Sequence, residues 1–339
     1  MRFEEFVSLA PYTTFWIGGR ARWFVRATTE NELAETVEFA RERELPFFVL
    51  GGGSNLLVSD HGFPGVVLHV ELKGIRQDGD CFDVAAGEPW DAFVNHAVER
   101  KFAGIECLAG IPGTVGATPV QNVGAYGQEV AETIVCVRAL DTKTNQVVDL
   151  AQAECEFAYR RSIFNSTERG RYIVTAVTYR LQAAGEPNLG YADLRRRFPA
   201  DARPSLRDVS DAVREIRHAK GMLIVEGEPD CRSAGSFFKN PVVSAADYAR
   251  IAAEAAGSAP SYPAGEGQVK LPAAWLVEHA GFPKGYTMGR AGISSRHTLA
   301  LINRGGATAD DVLALAEQIR TKVREKFGVE LAMEPVLLG

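Results

Sequence analysis

Residues 109–128 read AGIPGTVGATPVQNVGAYGQ, and this stretch constrains the fold more than any other. Gly110, Gly113, Gly116, Gly124 and Gly127 are interspersed with Pro112 and Pro119. Glycine loses the most backbone freedom on folding, and proline lacks an N–H, so neither a regular helix nor a central strand can form here. Ordering such a segment costs about 1–2 kcal/mol per residue in backbone entropy. Either a ligand or close backbone packing must require it. A second glycine loop, LGGGSNLLVSD at 50–60, lies between apolar runs. Consecutive backbone N–H groups in such a loop form a concavity suited to an anion. No lysine follows to make a P-loop, and Leu56 stands where a dinucleotide-binding fingerprint needs its third glycine.

Two such loops suit a pyrophosphate approached from two sides. A dinucleotide of the FAD type fits that better than a mononucleotide. The residues alone leave a plainer reading open, in which the glycines only make tight turns.

The periodicity around the loops is that of an α/β protein. Thr29 to Glu32 fits a capping box ahead of a helix over 30–44, with Leu33, Val37 and Ala40 at helical spacing. FFVLG (47–51) reads as a short buried strand running into the first glycine loop, and GVVLHVEL (65–72) as a second strand. A loop at a strand end is where ligands commonly dock in α/β folds. Further strands are expected at 81–87, 132–141, 145–151 and 171–181. A helix over 89–101 has Pro89 at its start and Trp90, Phe93, Val94, Ala97 and Val98 on one face. After Leu181 the chain reads as loop through QAAGEPNLGYADL. Helices follow at 205–220, 244–256, 272–281 and 308–327, and VELAMEPVLLG reads as a terminal strand.

A chain of 339 residues is long for one core and implies two or three domains. Its net charge is −6, and its densest basic run, RRRF at 195–198, is flanked by Asp193 and Asp201. That pattern suits a solvated helix face, so no nucleic-acid partner is expected. The five cysteines are scattered without a C-x-x-C pair, which favours free thiols in a reducing compartment and a cytoplasmic location. The six histidines have no metal-ligand spacing, so no metal is expected. The first fifteen residues hold acidic groups and no long apolar run, and no segment is apolar for long enough to span a bilayer. Neither a secretory signal nor a membrane partner is expected, and the protein is expected to be a monomer.

Three residues stand out as candidates for chemistry. Arg160, in YRRSIF (159–164), could clamp a carboxylate or phosphate in bidentate fashion, or could be a surface arginine. Ser236, in SAGSFFKNP (233–241), follows a glycine and precedes two aromatic rings. Its hydroxyl could protonate a carbanion if Lys239 or Arg160 supplied positive charge, or it could cap a turn. Glu334 sits in an apolar tail, where a carboxylate is costly unless paired, protonated or turned outward.

Seven motifs in this order resemble the UDP-N-acetylenolpyruvoylglucosamine reductases of peptidoglycan synthesis. They are YTTFWIGGRA (12–21), LGGGSNLLVSD (50–60), AGIPGTVGATPVQNVGAYGQE (109–129), YRRSIF (159–164), AGSFFKNP (234–241), LVEHAGFPKG (276–285) and LAMEP (331–335). The resemblance implies the flavin fold of the vanillyl-alcohol-oxidase type, with a third α/β domain for substrate. Its division would be 1–70 with 326–339 and 71–210 as two FAD-binding subdomains, and 211–325 as the substrate-binding domain. Non-covalent FAD would lie along Gly51, Gly52, Gly53, Ser54, Asn55 and Leu56. The second loop would contribute Pro112, Gly113, Gly116, Ala117, Thr118, Gln121, Asn122, Gly124 and Ala125. Covalently flavinylated relatives often carry a histidine in the first loop, and none is present here.

By the same resemblance, NADPH reduces FAD and hydride then passes to C3 of the enolpyruvyl group. Arg160 would clamp the carboxylate, Ser236 would protonate C2, and Glu334 would stabilise the intermediate or orient the acid. Losing one such group typically costs about 3–4 kcal/mol. Tyr159 would lie near the carboxylate. Tyr191 would cover the nucleotide sugar, and Lys220 and Asn240 would contact its diphosphate and nucleotide; His297 stands at a substrate-contact position, or is a solvated loop histidine. The chain departs from the family pattern at Arg161, at Ala332 in place of a second glutamate, and in a longer spacing from Lys220 to Ser236. A sugar or alcohol oxidase of the same fold and a non-catalytic nucleotide-sugar binder are the rival readings.

Overall fold

A computed structural model describes residues 1–255 and 259–339. The chain divides into two compact units. The first comprises 1–7, 21–53 and 63–218; the second comprises 8–20, 54–62 and 219–339. Both are mixed α/β, as the alternating periodicities require.

The first unit is built on two larger sheets. One runs in the order Phe3–Ser8, Arg20–Ala27, Phe63–Val70, Phe47–Leu50. Phe63–Val70 is parallel to both Arg20–Ala27 and Phe47–Leu50. The third strand begins two residues earlier than the apolar pattern suggests, because Ala21 pairs with Phe63 and extends the ladder over Pro64. The helix Glu30–Glu42 provides the crossover, with the Thr29 side chain accepting from the Glu32 N–H at 3.2 Å. The Glu32 carboxylate reaches back one residue further than a capping box predicts, to the Thr28 N–H at 2.7 Å.

The other sheet is antiparallel in the order Gln146–Ala151, Ile134–Asp141, Tyr172–Arg180, Cys81–Ala85, Ile75–Asp78. The helix Trp90–Glu99 buries the expected stripe of Trp90, Phe93, Val94, Ala97 and Val98. Phe93, Val94 and Val98 each contribute about 1.5–3 kcal/mol by leaving water. The buried Trp90 indole satisfies its N–H with the Leu108 carbonyl at 3.0 Å. Helix Leu206–Ala219 adds Leu206, Val209, Ala212 and Val213 to one core that both sheets share. The segment after Leu181 is not all loop: Ala192–Arg197 forms a short helix. Leu194 is fully buried there and pins that turn while its three arginines face outward.

In the second unit, helix Ala309–Phe327 buries Val312, Leu315, Ala316, Ile319, Val323 and Phe327. Thr308 and Asp311 cap its start, and Gly328 ends it at φ 68 with its N–H on the Arg324 carbonyl. Helices Ala245–Glu254 and Ala273–His279 and two three-stranded sheets complete the unit. The last residue expected in the helix over 244–256 lies outside the described residues. The tail is not one continuous strand. Val336–Leu338 pairs in parallel with Leu56–Val58, and Met333 makes an isolated bridge with Phe238. Pro335, between them, has no N–H with which to continue a ladder.

Candidate active site

The first unit holds the two glycine loops against each other. A Cβ on Gly52 would meet the Gly113 Cα at 2.5 Å, and one on Gly51 would meet the Thr114 Oγ1 at 2.9 Å and the Ala117 Cβ at 3.5 Å. A Cβ on Gly116 would lie 2.5 Å from the Ala86 Cβ. Backbone touches backbone because no side chain stands between. Gly53, Gly110 and Gly113 adopt φ of 60, 70 and 125, where other residues are strained. Loop ends of this kind at the end of Phe47–Leu50 present backbone N–H groups to an anion.

The rest of the second loop is braced by its own side chains. The buried Thr118 hydroxyl lies 2.8 Å from the Val115 carbonyl and 2.7 Å from the Tyr179 hydroxyl. The buried Asn122, at φ 45, donates to Glu129 at 2.8 Å and to the Ala158 carbonyl at 3.2 Å, and accepts from the Ala131 N–H at 3.1 Å. Its amide therefore works inside the protein. Pro112 and Gln121 are half-buried. Gly124–Ala125 pairs with Gln128–Glu129 in a small hairpin.

Arg160 sits on a tight turn closed by paired hydrogen bonds between Ala158 and Arg161, at 2.9 and 3.0 Å. Its φ is 55, an uncommon conformation for a residue with a side chain, and such strain concentrates at functional positions. The guanidinium lies over the Tyr159 ring, 5.4 Å from the centroid, and donates to the Gly124 carbonyl at 2.9 Å. Ser162 ties the turn to the second glycine loop through the Val120 carbonyl at 2.6 Å. Arg160, Tyr159 and that loop are therefore one construction. Tyr191 belongs to it as well, packed edge-on against Tyr126 with centroids 5.3 Å apart.

Three residues at this site carry no motif in the sequence. Arg217 donates from Nε to the Gly110 carbonyl at 3.1 Å, and Asp91 accepts from the Gly110 N–H at 2.6 Å. Arg214 pairs with Asp91 at 2.5 Å. Burial pulls the Arg217 guanidinium below its ordinary pKa, while Tyr126 and Asp91 act to raise it. The available signal was the three-residue spacing of Arg214 and Arg217, which puts both on one helix face.

The second unit gathers a different set. The Glu334 N–H donates to the Phe237 carbonyl and the Lys239 N–H to the Ala332 carbonyl, both at 2.9 Å. These bonds flank the Phe238–Met333 bridge, so the backbones carrying Ser236 and Glu334 run antiparallel. Asn55 joins them: its side-chain amide donates to the Glu334 carbonyl at 3.3 Å, and its own carbonyl accepts from the Val336 N–H at 3.0 Å. The end of the first glycine motif thereby grips the tail, and Leu56 begins the strand that pairs with it. Ser54 and Ser236 are both half-buried. The Thr14 hydroxyl bonds to the Ser233 carbonyl at 2.6 Å, which brings YTTF to SAGSFF.

The Phe237 N–H donates to the Leu299 carbonyl at 2.8 Å, fixing the loop that carries His297. The His297 Nδ1 accepts from the Leu299 N–H at 3.1 Å, so in the neutral ring the proton is on Nε2. Burial first, and then the charges of Lys220 and Lys284, lower the imidazole pKa to about 4. His297 is thus a neutral donor near two cations, one of which, the exposed Lys284, was also not singled out. Asn240 caps helix Ala273–His279, its Oδ1 accepting from the Ala273 N–H at 2.9 Å. Among the described residues no cluster of three or more His, Cys, Asp or Glu could hold a metal. No described helix is long and apolar enough to cross a membrane.

Comparison with known proteins accounts for both sets. The FAD-binding-domain family matches residues 21–151, and the C-terminal domain of UDP-N-acetylenolpyruvoylglucosamine reductase matches 228–338. The UDP-N-acetylenolpyruvoylglucosamine reductase of Streptomyces coelicolor is 46% identical over 98% of this chain and 89% of its own length. That of Thermobifida fusca is 47% identical over 99% and 98%. The chain belongs to the UDP-N-acetylenolpyruvoylglucosamine reductase family. A crystal structure of the reductase from Thermus caldophilus superposes with a TM-score of 0.69 at 28% identity, covering 100% of both chains. As a member of this family the protein is an FAD-dependent oxidoreductase. The first unit fits that cofactor: Gly52 packs directly on the Gly113 backbone, and Gly53 and Gly110 take left-handed φ, so the paired loops can turn backbone N–H groups toward an anion.

Proposed function

We propose that this reductase converts UDP-N-acetylglucosamine enolpyruvate to UDP-N-acetylmuramate, with NADPH as reductant, as a cytoplasmic monomer in peptidoglycan synthesis. FAD, when bound, supplies the hydride chemistry between NADPH and C3 of the enolpyruvyl group. The glycine loops hold it non-covalently, with 1–70 together with 326–339, and 71–210, as the two halves of the cofactor-binding region, and 211–325 as the substrate-binding domain.

The chain's own residues manage the charge and the proton. Hydride arriving at C3 leaves an electron pair at C2, shared with the carboxylate. Arg160 neutralises that carboxylate, and its strained turn fixes the guanidinium in advance, so little ordering is left for the reaction itself. The Ser236 O–H gives its proton to C2, forming the new C–H bond and leaving an alkoxide that a neighbouring cation must stabilise. Glu334 orients this acid or stabilises the same charge. Tyr159 packs by the carboxylate. Tyr191 covers the nucleotide sugar and excludes water. Lys220 and Asn240 take the diphosphate and nucleotide, and His297 contacts the substrate.

The observation that supports this reading best is the antiparallel register joining Ser236 and Glu334, locked by Asn55 of the first glycine motif. The test is a pair of half-reactions followed by flavin absorbance. Ser236→Ala is expected to leave flavin reduction by NADPH at its normal rate and to slow reoxidation by the enolpyruvyl substrate by about 10²–10⁴-fold. Equal loss in both half-reactions would remove Ser236 from the role of acid.

A further inference from the structure

Glu106 is fully buried in the first unit, and the proposed chemistry does not use it. Its Oε2 accepts from the Gly104 N–H at 2.8 Å. Its Oε1 accepts from the Gln128 side-chain amide at 2.9 Å and from the Asn188 N–H at 2.8 Å. Every one of these partners donates an N–H to a carboxylate oxygen, so the buried polar group is satisfied. The Gln128 amide is itself fixed, because its Oε1 accepts from the Cys107 N–H at 2.8 Å. The Cys107 thiol reaches the Asn188 carbonyl at 3.2 Å, and burial pushes that thiol well above its ordinary pKa, so it stays a neutral donor.

Asn188 is consequently held at four atoms. Besides its N–H and carbonyl, its side-chain amide donates to the Gly127 carbonyl at 3.1 Å and accepts from the Gly190 N–H at 2.8 Å. Tyr191 begins one residue later. A Cβ on Gly127 would lie 3.7 Å from the Tyr191 N, so the tyrosine rests directly on the end of the second glycine loop. The chain after Asn188 is exposed at Gly190 and Tyr191, whereas Asn188 itself is half-buried. The anchored Asn188 and the exposed Tyr191 are therefore three residues apart.

We infer that Glu106 is a positioning residue for Tyr191. Through Gln128, Cys107 and Asn188, it anchors the base from which the tyrosine closes over the nucleotide sugar. The inference rests on the reading that Tyr191 covers substrate. Glu106 touches neither substrate nor cofactor in this account. Replacing one carboxylate oxygen with an amide NH₂ sets donor against donor at Gly104 or at Asn188, and a buried donor left unpaired is costly. The base then loosens while the glycine loops and Arg160 keep their own bonds.

The test is a double-mutant cycle on the holoenzyme. Dissociation constants for the enolpyruvyl substrate come from perturbation of the flavin absorbance, alongside the limiting rate of flavin reduction at saturating NADPH. Tyr191→Ala and Glu106→Gln are each expected to weaken substrate binding by about 10-fold, and the double variant by no more than either alone, since coupled neighbours are non-additive. Glu106→Gln should leave the limiting reduction rate unchanged. Asn188→Ala, a milder change at a half-buried position, should reproduce the weakening if Glu106→Gln fails to fold. If Tyr191→Ala weakens binding but the two effects multiply, the positioning role is overturned and the covering role stands. If Tyr191→Ala leaves binding unchanged, the covering role fails and takes this one with it. A Glu106→Gln enzyme that binds substrate normally also refutes the inference.

Discussion

An alanine at position 52 is the sharpest probe of how the two glycine loops meet. Its methyl carbon would lie 2.5 Å from the Gly113 Cα, 3.0 Å from the Gly113 carbonyl carbon and 3.3 Å from the Thr114 N. Relaxed carbon contacts lie at about 3.5–4.0 Å, so the loops must part by roughly 1 Å. All three neighbours are backbone, and no rotamer change can absorb the overlap. Overpacking of this kind costs about 1–3 kcal/mol. If the flavin-free loops relax and binding forces them back together, the flavin Kd rises by about 5–150-fold. The assay is titration of apoprotein with FAD, read by flavin fluorescence, beside a urea unfolding curve. Gly79→Ala serves as the control, because Gly79 has φ 58 and nothing within 4 Å of its would-be Cβ. That change should cost only the left-handed backbone term, about 1–2 kcal/mol, and leave flavin affinity alone. A Gly52→Ala protein with normal flavin affinity and an unchanged urea midpoint would refute the claim that the loops meet backbone to backbone.

Two further outcomes follow from the site geometry. At position 160 the backbone is held at φ 55, so Arg160→Gly should be about 1–2 kcal/mol more stable than Arg160→Ala in urea, although both lose substrate-driven flavin reoxidation equally. Equal stability would show that the turn carries no strain. His297 has its pKa lowered to about 4 in the folded protein, against about 6.5 for an ordinary imidazole. Between those values the unfolded chain binds the extra proton, so stability rises with pH, and about 3 kcal/mol is lost as pH falls from 6.5 to 4. His297→Gln should remove that part of the slope in urea midpoints measured from pH 7 to 4.5, and a slope equal to the wild type would refute the assignment.

Much of the architecture was legible in local pattern. The stripe Trp90, Phe93, Val94, Ala97 and Val98 is buried as its spacing requires, and Gly328 ends the long helix where apolar periodicity stops. Helical and strand periods are properties of short windows, so they survive without knowledge of the rest of the chain. The tail was misread as one strand because its apolar content outweighed Pro335, whose missing N–H interrupts the ladder. The helix Ala192–Arg197 was read as loop because it is too short to show a period; only burial of Leu194 holds it.

The glycine loops show where local reading stops. Their composition demanded either a ligand or close backbone packing, and the structure displays the packing, with Gly52 against Gly113 and Gly116 against Ala86. Asn122 looked like a cofactor contact and has its amide committed to Glu129, Ala158 and Ala131. Asp91, Arg214 and Arg217 carry no motif, yet Asp91 and Arg217 grip Gly110 from both sides and Arg214 holds Asp91.

The sequence by itself therefore determined the elements, the family and the chemical types of the candidate residues, because each is written in short runs of side chains. Which of those side chains meet was decided only in three dimensions. Ser236 and Glu334 are separated by almost a hundred positions, and Asn55 lies farther off still. Their register comes from backbone hydrogen bonds whose partners no window of sequence can contain.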